Sequence, residues 1–309
     1  MGGRAGRNGL LKSAHVAGPG ALTIVMNPAS AGGKPLRLMS TVETELRSAD
    51  ADYRVVETRD IPHAARAAEE AAGRGETVVA LGGDGLVGAL AGALRGEVPL
   101  GVLPGGRGND FARALGIPED LEEACRVLLD GVERRLDLGD ANGRPFACIA
   151  STGYDSVANR IANEARLVRG NLVYAYAAIR ALASWKPARF DVALDGREHR
   201  FEGYTVAAAN ASYYGGGMKM APAADPADGL LDVIFVERTR KLRFIANLPK
   251  VFAGTHVELD SVSAHRAREV EIRADRPFDV YADGEPITSL PVTVKVIPGA
   301  LRVIAPRLR

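Results

Sequence analysis

The sequence predicts an α/β domain followed by a β-rich domain, because its two halves carry different patterns. Strand-like and helix-like segments alternate over about the first 135 of 309 residues, whereas short strand-like runs dominate the remainder. Alternation is typical of a parallel sheet with helices on both faces, and successive short strands with turns are typical of an antiparallel sandwich. We therefore predict a doubly wound α/β domain at 21–137, rejoined by about 299–309, and a β-sandwich domain at 138–298.

In the first domain, short apolar runs predict strands and apolar residues at helical spacing predict helices. The predicted strands are residues 22–26, 53–58, 77–81 and 100–103, and the predicted helices are 36–49, 61–73, 86–94, 111–115 and 121–131. In the second domain, 156–183 is mostly helical in pattern. The predicted strands there are 146–151, 190–194, 204–211, 231–236, 257–262, 269–274, 278–282 and 292–297.

Composition excludes several classes of protein. Hydrophobic residues make up 47% and charged residues 25% of the chain, which is typical of a globular protein and excludes global disorder. The net charge of +1 provides no overall field that would attract nucleic acid or an anionic membrane, so we expect no nucleic-acid partner and only local membrane contact. No run reaches the ~18 apolar residues that predict a transmembrane segment.

The cysteines and the N-terminal residues bear on location. Cys125 lies in a helical pattern and Cys148 in an apolar strand-like run, which favours two buried thiols in a reducing, cytoplasmic environment. Residues 1–20 are rich in Gly and Arg and lack a long apolar core, so we interpret them as a disordered tail and not as a secretory signal.

Glycine-rich turns follow three of the predicted strands. One follows residues 22–26, a second is Gly82-Gly83-Asp84-Gly85, and a third spans 104–110. The carboxyl ends of parallel strands share one edge of the sheet, where ligands of such folds bind. Backbone N–H groups of glycine turns, together with the N-terminus of a following helix, bind anions. Three turns at one edge therefore indicate a site for a polyphosphate.

Two familiar nucleotide motifs fit poorly. Lys34 ends an Ala-Gly-Gly-Lys run that resembles a Walker A loop, but Pro35 follows it instead of the metal-binding Ser or Thr. Residues 83–88 match the Rossmann fingerprint, yet the Asp84 carboxylate inside the turn would repel a pyrophosphate unless a cation lay between them. Asp84 and Asp110, each beside a phosphate turn, therefore favour chemistry in which Mg²⁺ bridges carboxylates and phosphates.

An ordered set of short motifs covers nearly the whole chain from residue 22 onward. In chain order they are Asn27-Pro28, Gly82-Gly83-Asp84-Gly85, Gly106-Arg107-Gly108-Asn109-Asp110-Phe111-Ala112-Arg113, Gly153-Tyr154-Asp155, Tyr214-Gly215-Gly216-Gly217-Met218, Ala221-Pro222, residues 225–232 and Asp283-Gly284-Glu285. At these residues the sequence resembles the soluble bacterial diacylglycerol kinase family, which is related to sphingosine and ceramide kinases. Residues 225–232 and the late Asp-Gly-Glu are the most specific of these matches.

The resemblance implies an ATP-binding α/β domain and a sandwich domain with the site between them, and it implies roles for particular residues. Asp283 would be the general base, helped by Glu285, while Asp84 and Asp110 would organise a catalytic Mg²⁺ through water. A second, structural Mg²⁺ would be bound by Asp225, Asp228 and the Leu230 carbonyl. The implied nucleotide-binding residues are Asn27, Pro28, Gly82, Gly83, Gly85, Gly106, Arg107, Gly108 and Asn109.

The sequence departs from the family pattern at three places. Leu86 stands where the family usually has Thr, and sphingosine kinases also have Leu there. Gly88-Ala89 replaces a polar pair that ends in Glu. Arg107 stands where Thr is common, and its guanidinium can neutralise phosphate charge.

These observations predict an ATP- and Mg²⁺-dependent kinase that phosphorylates a lipid hydroxyl at the inner membrane surface, with diacylglycerol as the leading substrate. Three alternatives are left open: a kinase of a sphingosine-, ceramide- or phosphatidylglycerol-like lipid, an NAD kinase-like enzyme, and a nucleotide-binding regulator without catalysis. Residues 154–185 mix basic, aromatic and apolar side chains, which is compatible with lying on a bilayer or packing on a sheet. The oligomeric state is open, a homodimer included.

Overall fold

The computed structural model describes residues 20–164 and 172–307, except for the side chains of 163–164 and 172–175. The tail predicted at 1–20 therefore lies outside the described residues, apart from Gly20. The same holds for Arg166, Leu167 and Arg169 in the stretch interpreted as bilayer-facing or sheet-packed.

The first half alternates strands and helices as predicted. Its elements are β1 (Leu22–Met26), α1 (Lys34–Ser48), β2 (Tyr53–Glu57), α2 (Ile61–Gly73), β3 (Thr77–Gly82), α3 (Asp84–Leu94), β4 (Leu100–Pro104), α4 (Asp110–Ala114) and α5 (Leu121–Asp130). The strands pair in parallel in the order β2-β1-β3-β4. The direction of the crossovers reverses at β1, so α1 packs with α5 on one face and α2 with α3 on the other.

Local sequence explains these elements. Every residue of β1, β3 and β4 is buried, as expected for central strands covered on both faces. The helix α2 begins after Asp60, whose carboxylate accepts a hydrogen bond from the His63 N–H at 2.8 Å, and Asp120 caps α5 through the Glu123 N–H at 3.0 Å. The carboxyl ends of β1, β3 and β4 consequently present their glycine-rich turns at one edge.

The second half is rich in antiparallel strands. Its elements are β5 (Val132–Ala141), β6 (Arg144–Phe146), β7 (Ile149–Gly153), α6 (Tyr154–Glu164), α7 (Leu172–Ser184), β8 (Ala188–Leu194), β9 (Arg197–Ala209), β10 (Leu231–Glu237), α8 (Lys241–Ala253), β11 (Val262–Ala267), β12 (Glu269–Ala274), β13 (Asp279–Ala282), β14 (Glu285–Ser289) and β15 (Val292–Ala305). The helix α6 packs on β7 and β13, and Val157 and Ile161 contact the core of this half. For the described residues of α6, sheet packing is therefore what the structure shows.

The long strand β15 joins the two halves. It pairs antiparallel with β12 and β5, and Val303 pairs in parallel with Leu100 of β4. The main sheet consequently runs β14-β13-β7-β9-β8-β12-β15-β4-β3-β1-β2. One hydrophobic cluster fills the α/β half and extends under β7 and β9, and a second fills the sandwich half. This continuous sheet fixes the β13–β14 turn relative to the glycine-rich edge.

Several sequence-based assignments in the second half are wrong or incomplete, and the strands β5 and β14 were not predicted. The strand predicted at 257–262 is instead a 3₁₀ turn at Thr255–Glu258, and β11 begins only at Val262. The buried His256 ring, whose Nε2 lies 3.0 Å from the Met220 carbonyl oxygen, fixes this turn. The helix α8 was not predicted at all. Cys125 and Cys148 are free and buried, as predicted.

Candidate active site

A cavity of about 400 Å³ lies between the glycine-rich edge of the first half and the β13–β14 turn of the second. Most residues that the sequence assigned to catalysis or nucleotide binding line it: Asn27, Gly83, Asp84, Gly85, Gly106, Arg107, Gly108, Asp110, Asp283 and Glu285. Pro28, Gly82 and Asn109 are not among its lining residues. The structure thus gathers residues separated by more than 250 positions into one polar cleft.

Two of the glycine-rich turns touch each other, which explains their composition. A Cβ on Gly106 would stand 2.3 Å from the Gly83 Cα, so no larger residue fits there. Asn109 supports the same turn from behind, because its buried side-chain oxygen accepts a hydrogen bond from the Gly106 N–H at 2.8 Å. Asn109 therefore shapes the turn without facing the cavity.

Asp84 and Asp110 converge at the floor of the cleft. Asp84 begins α3 and accepts a hydrogen bond from the Phe111 N–H at 2.9 Å, while Asp110 begins α4. A Cβ placed on Gly108 would lie 2.9 Å from Oδ2 of Asp84 and 3.1 Å from Oδ2 of Asp110, so the two carboxylates approach the same point. Burial raises the pKa of Asp84, and burial together with the charge of Asp84 raises the pKa of Asp110 to about 6. Two adjacent, buried carboxylates whose charges repel each other are a suitable donor set for a hard divalent cation.

Asp110 also holds the second half against the first. Its carboxylate accepts hydrogen bonds from the N–H groups of Gly216 at 2.8 Å and Gly217 at 2.7 Å, and it pairs with Arg113 at 2.9 Å.

Among the described residues no group of three or more His, Cys, Asp or Glu side chains is arranged to hold a metal ion. A cation at Asp84 and Asp110 would therefore need water and phosphate oxygens as its further ligands, which is the coordination Mg²⁺ favours.

Asp283 reaches the cleft from the tight turn between β13 and β14. It has φ of 51° and the following Gly284 has φ of 87°, as in the hairpin turns that Asp-Gly pairs favour. Its carboxylate accepts hydrogen bonds from three consecutive N–H groups, those of Ala147 at 2.7 Å, Cys148 at 2.9 Å and Ile149 at 3.4 Å. Burial raises the pKa of Asp283 to about 7, although these N–H groups oppose the shift. The group is thus held in one position and titrates near neutrality.

The space for the Asp283 carboxylate is provided by Gly88 on α3. A Cβ at Gly88 would stand 2.6 Å from Oδ2 of Asp283. Gly88 is one of the positions where the sequence departs from the family pattern, so this departure belongs to the site itself. The neighbouring contact is looser, because a Cβ on Gly85 would lie 3.4 Å from Cγ of Glu285 at the rim of the cleft.

The predicted structural-metal loop lies apart from the cleft. The Asp225 carboxylate accepts a hydrogen bond from the Ala227 N–H at 3.1 Å, and Asp228 accepts one from the Leu230 N–H at 3.0 Å. The other oxygen of Asp228 contacts the Arg266 guanidinium, which already supplies positive charge to this loop. The Mg²⁺ assigned to Asp225, Asp228 and the Leu230 carbonyl stays a prediction.

A second cavity, of about 450 Å³ and mainly apolar, opens beside the cleft. It lies among α6, α7, α8 and β9, and it shares Asn159, Tyr214, Gly215 and Gly216 with the polar cleft. At the junction, Asp155 is buried and accepts a hydrogen bond from the Tyr214 hydroxyl at 3.1 Å, and burial raises the pKa of Asp155 to about 6. The sequence placed both residues in matched motifs without assigning them a role. The available signal was an acidic residue two positions after the end of a buried strand.

Two known domain families match the chain. Residues 21–141 match the diacylglycerol kinase catalytic domain, and residues 148–305 match the YegS C-terminal NAD kinase beta sandwich-like domain. A diacylglycerol kinase of Mycobacterium tuberculosis is 34% identical over 297 residues, which are 93% of this chain and 96% of that protein.

Solved structures show the same fold at lower identity. A diacylglycerol kinase from Bacillus anthracis str. Sterne superposes with a TM-score of 0.73 at 22% identity, over 94% of this chain and 98% of the other. An NAD kinase from Archaeoglobus fulgidus in complex with ATP gives a TM-score of 0.53 at 13% identity, over 92% and 93% of the two chains. These likenesses confirm the predicted combination of a doubly wound α/β domain and a β-sandwich domain.

Proposed function

Because this chain belongs to the diacylglycerol kinase family of lipid kinases, we propose that it transfers the γ-phosphoryl group of ATP to a lipid hydroxyl, in a reaction that requires Mg²⁺. Diacylglycerol is the proposed substrate and phosphatidic acid the product. The observation that carries the proposal is the junction of a polar, carboxylate-lined cleft with an apolar cavity at Asn159, Tyr214, Gly215 and Gly216. A lipid alcohol needs both surroundings, one for its acyl chains and one for its reacting hydroxyl.

The glycine-rich turns form the proposed nucleotide site. The N–H groups of the Gly83–Gly85 turn, with those of Arg107 and Gly108, lie at the starts of α3 and α4 and suit a polyphosphate, and the Arg107 side chain adds a positive charge at the cleft wall. The NAD kinase of related fold holds ATP, which supports a nucleotide in this chain too. Asp84 and Asp110 would hold the Mg²⁺, whose charge would neutralise phosphate oxygens during transfer.

Asp283 is the proposed general base. A carboxylate accepts the proton of a hydroxyl as the bond to phosphorus forms, and it does so best when its pKa lies near the working pH. The enclosed carboxylate of Asp283, with a pKa of about 7, meets that condition. Its three backbone hydrogen bonds fix the carboxylate in place, and positioning supplies much of the rate in phosphoryl transfer.

The apolar cavity distinguishes the proposed substrate from a soluble nucleotide. Phe244, Leu248 and Val251 from α8 line it together with Tyr154 and Met220. An NAD kinase-like enzyme would have no use for such a surface beside its acceptor site. The substrate lipid implies that the enzyme works as a peripheral protein at the cytoplasmic face of a membrane. No described helix is long and apolar enough to cross one.

Transfer of label from γ-labelled ATP to lipids in mixed micelles tests the proposal. The panel contains diacylglycerol, ceramide, sphingosine and phosphatidylglycerol, with NAD as a soluble acceptor, each assayed with Mg²⁺ and with excess chelator. We expect Mg²⁺-dependent label on diacylglycerol and none on NAD. Label on NAD alone, or on no acceptor while ATP is bound, would refute the proposed activity, and label on another lipid would correct the substrate.

A further inference from the structure

The helix α8 exposes large apolar side chains along one side. Leu242 is 84% exposed, Phe252 is 53% exposed and Ile245 is 38% exposed. At ~100° per residue, positions 242, 245, 249 and 252 fall on one side of the helix. This outer face of α8, defined by Leu242, Ile245, Pro249 and Phe252, therefore forms a continuous apolar stripe.

The neighbouring side of the same helix is apolar as well. Phe244, Leu248 and Val251 line the apolar cavity, as do Pro249 and Phe252 of the outer face, yet no residue of α8 is buried. An exposed apolar surface beside a ligand cavity is typical of an interaction site. Leu242 and Ile245 do not line the cavity, so the cavity does not account for the exposure of the outer face.

The charged residues around the outer face of α8 indicate what kind of surface covers it. Lys241, Arg243 and Lys250 flank the stripe, and α8 contains no acidic residue. Within the described part of the chain, neither Arg243 nor Lys250 forms a salt bridge. The whole chain has a net charge of only +1, so this positive charge is a local feature. Basic side chains around an apolar helix face are the combination that binds an anionic bilayer interface.

The stripe continues onto α7. The Lys241 ammonium donates a hydrogen bond to the Ala183 carbonyl at 3.1 Å, which ties the start of α8 to the end of α7. On α7, Ile179 is 59% exposed and Tyr176 is 38% exposed. Ala177 and Ala178 line the apolar cavity next to them. The exposed apolar residues therefore lie around the cavity and not at a remote part of the surface.

We propose that the outer face of α8 docks on an anionic phospholipid bilayer and sets the apolar cavity against the acyl region of the membrane. The inference deepens the proposed function and rests on it, because docking would deliver the lipid to a cavity that continues into the polar cleft. The bilayer is the single occupant to which the proposal commits. A second copy of the chain, the other apolar surface that would fit, is an outcome of the test.

Vesicle co-sedimentation of the full chain tests the docking surface. The vesicles contain phosphatidylcholine alone or phosphatidylcholine with 30 mol % phosphatidylglycerol (about one lipid in three, a strongly anionic surface). The variant Leu242→Asp/Ile245→Asp removes the stripe at two residues that do not line the cavity, and Leu36→Asp is its matched control because Leu36 is 54% exposed on α1. We expect binding of the wild type and of the control to anionic vesicles, with binding of the double variant reduced at least tenfold.

A second variant tests the charge separately. Arg243→Gln/Lys250→Gln keeps the stripe, so we expect weaker binding to anionic vesicles, by about tenfold, and unchanged binding to phosphatidylcholine alone. Wild-type protein that ignores anionic vesicles, or Leu242→Asp/Ile245→Asp protein that binds them as the wild type does, would overturn the proposal. A double variant that only converts a dimer to a monomer would assign the face to self-association and overturn it as well.

Kinase assays separate this inference from the proposed function. On a short-chain diacylglycerol in free solution, the Leu242→Asp/Ile245→Asp variant should keep wild-type turnover to within threefold, whereas on long-chain diacylglycerol in vesicles it should lose at least tenfold. Equal loss on both substrates would contradict docking. If the wild type binds anionic vesicles through α8 but phosphorylates no lipid, docking stands and the proposed function falls.

Discussion

Replacing Gly88 by alanine should disable the site without disturbing the nucleotide turns. The added Cβ would stand 2.6 Å from Oδ2 of Asp283 and 3.5 Å from its Cγ. Ordinary contact begins at 3.4 Å, so the carboxylate must retreat by about 0.8 Å. That oxygen accepts the Ala147 N–H at 2.7 Å, and the other accepts the Cys148 N–H at 2.9 Å, so a shift of this size distorts both bonds.

The magnitude follows from positioning. A misplacement of about 1 Å at a reacting group costs on the order of 10²-fold in rate, or about 2.7 kcal/mol of transition-state stabilisation. Stability should change less, because Gly→Ala inside a helix gains up to ~1 kcal/mol and overpacking costs ~1–3 kcal/mol. We therefore expect kcat of Gly88→Ala to fall about 100-fold at nearly unchanged ATP affinity.

The assay measures kcat with diacylglycerol in micelles, ATP binding by calorimetry and Tm by scanning fluorimetry. Gly73→Ala is the matched control, because Gly73 ends α2 and a Cβ there would meet no atom within 4 Å. The control should keep full activity. A Gly88→Ala enzyme whose kcat stays within threefold of the wild type would refute the claim that this glycine positions Asp283.

Two further predictions concern Asp283 in the cleft, and a third concerns Asp228 in the predicted metal loop. Asp283→Asn should abolish transfer while ATP still binds, as single-turnover and calorimetric measurements would show; wild-type turnover would remove Asp283 from the mechanism. Because only the ionised carboxylate accepts a proton and burial raises the pKa of Asp283 to about 7, kcat/KM should increase as pH rises through about 7; a flat profile from about pH 6 to 8.5 would contradict this. Mg²⁺ should raise the Tm of the wild type by ~2–4 °C per kcal/mol of stabilisation, and Asp228→Ala should remove that rise; an equal rise in the variant would exclude Asp228 as a ligand.

The glycine-rich edge was predictable from sequence because it depends on local rules. Asp84 follows β3 and Asp110 follows β4, and adjacent parallel strands bring their carboxyl ends together whatever the rest of the chain does. The convergence of both carboxylates near Gly108 is a direct consequence.

The position of Asp283 was not predictable from local pattern. From the residues alone, Asp283-Gly284 indicates a hairpin turn, and the structure does place it in the turn between β13 and β14. Its proximity to Asp84 depends on the pairing of β13 with β7 and on β15 crossing between the halves. Those pairings join strands more than 100 residues apart, so only the family resemblance pointed to the role.

The helix α8 was missed for a different physical reason. Pro249 lies inside it, and a proline within an otherwise helical pattern argues against an uninterrupted helix. The strand predicted at 257–262 is wrong because Val257 and Leu259, which alternate with Glu258 and Asp260, imitate the pattern of a strand. The chain instead turns at Gly254, which has φ of 77°, and begins the next strand at Val262.

A crystal structure with a non-hydrolysable ATP analogue, Mg²⁺ and a short-chain diacylglycerol is the most direct test of a kinase site at the junction of cleft and cavity. We expect the polyphosphate against the Gly83–Gly85 and Gly106–Gly108 turns, acyl chains in the apolar cavity, and a lipid hydroxyl within hydrogen-bonding distance of the Asp283 carboxylate. A nucleotide bound away from these turns, or a lipid hydroxyl that faces no part of the Asp283 carboxylate, would contradict it.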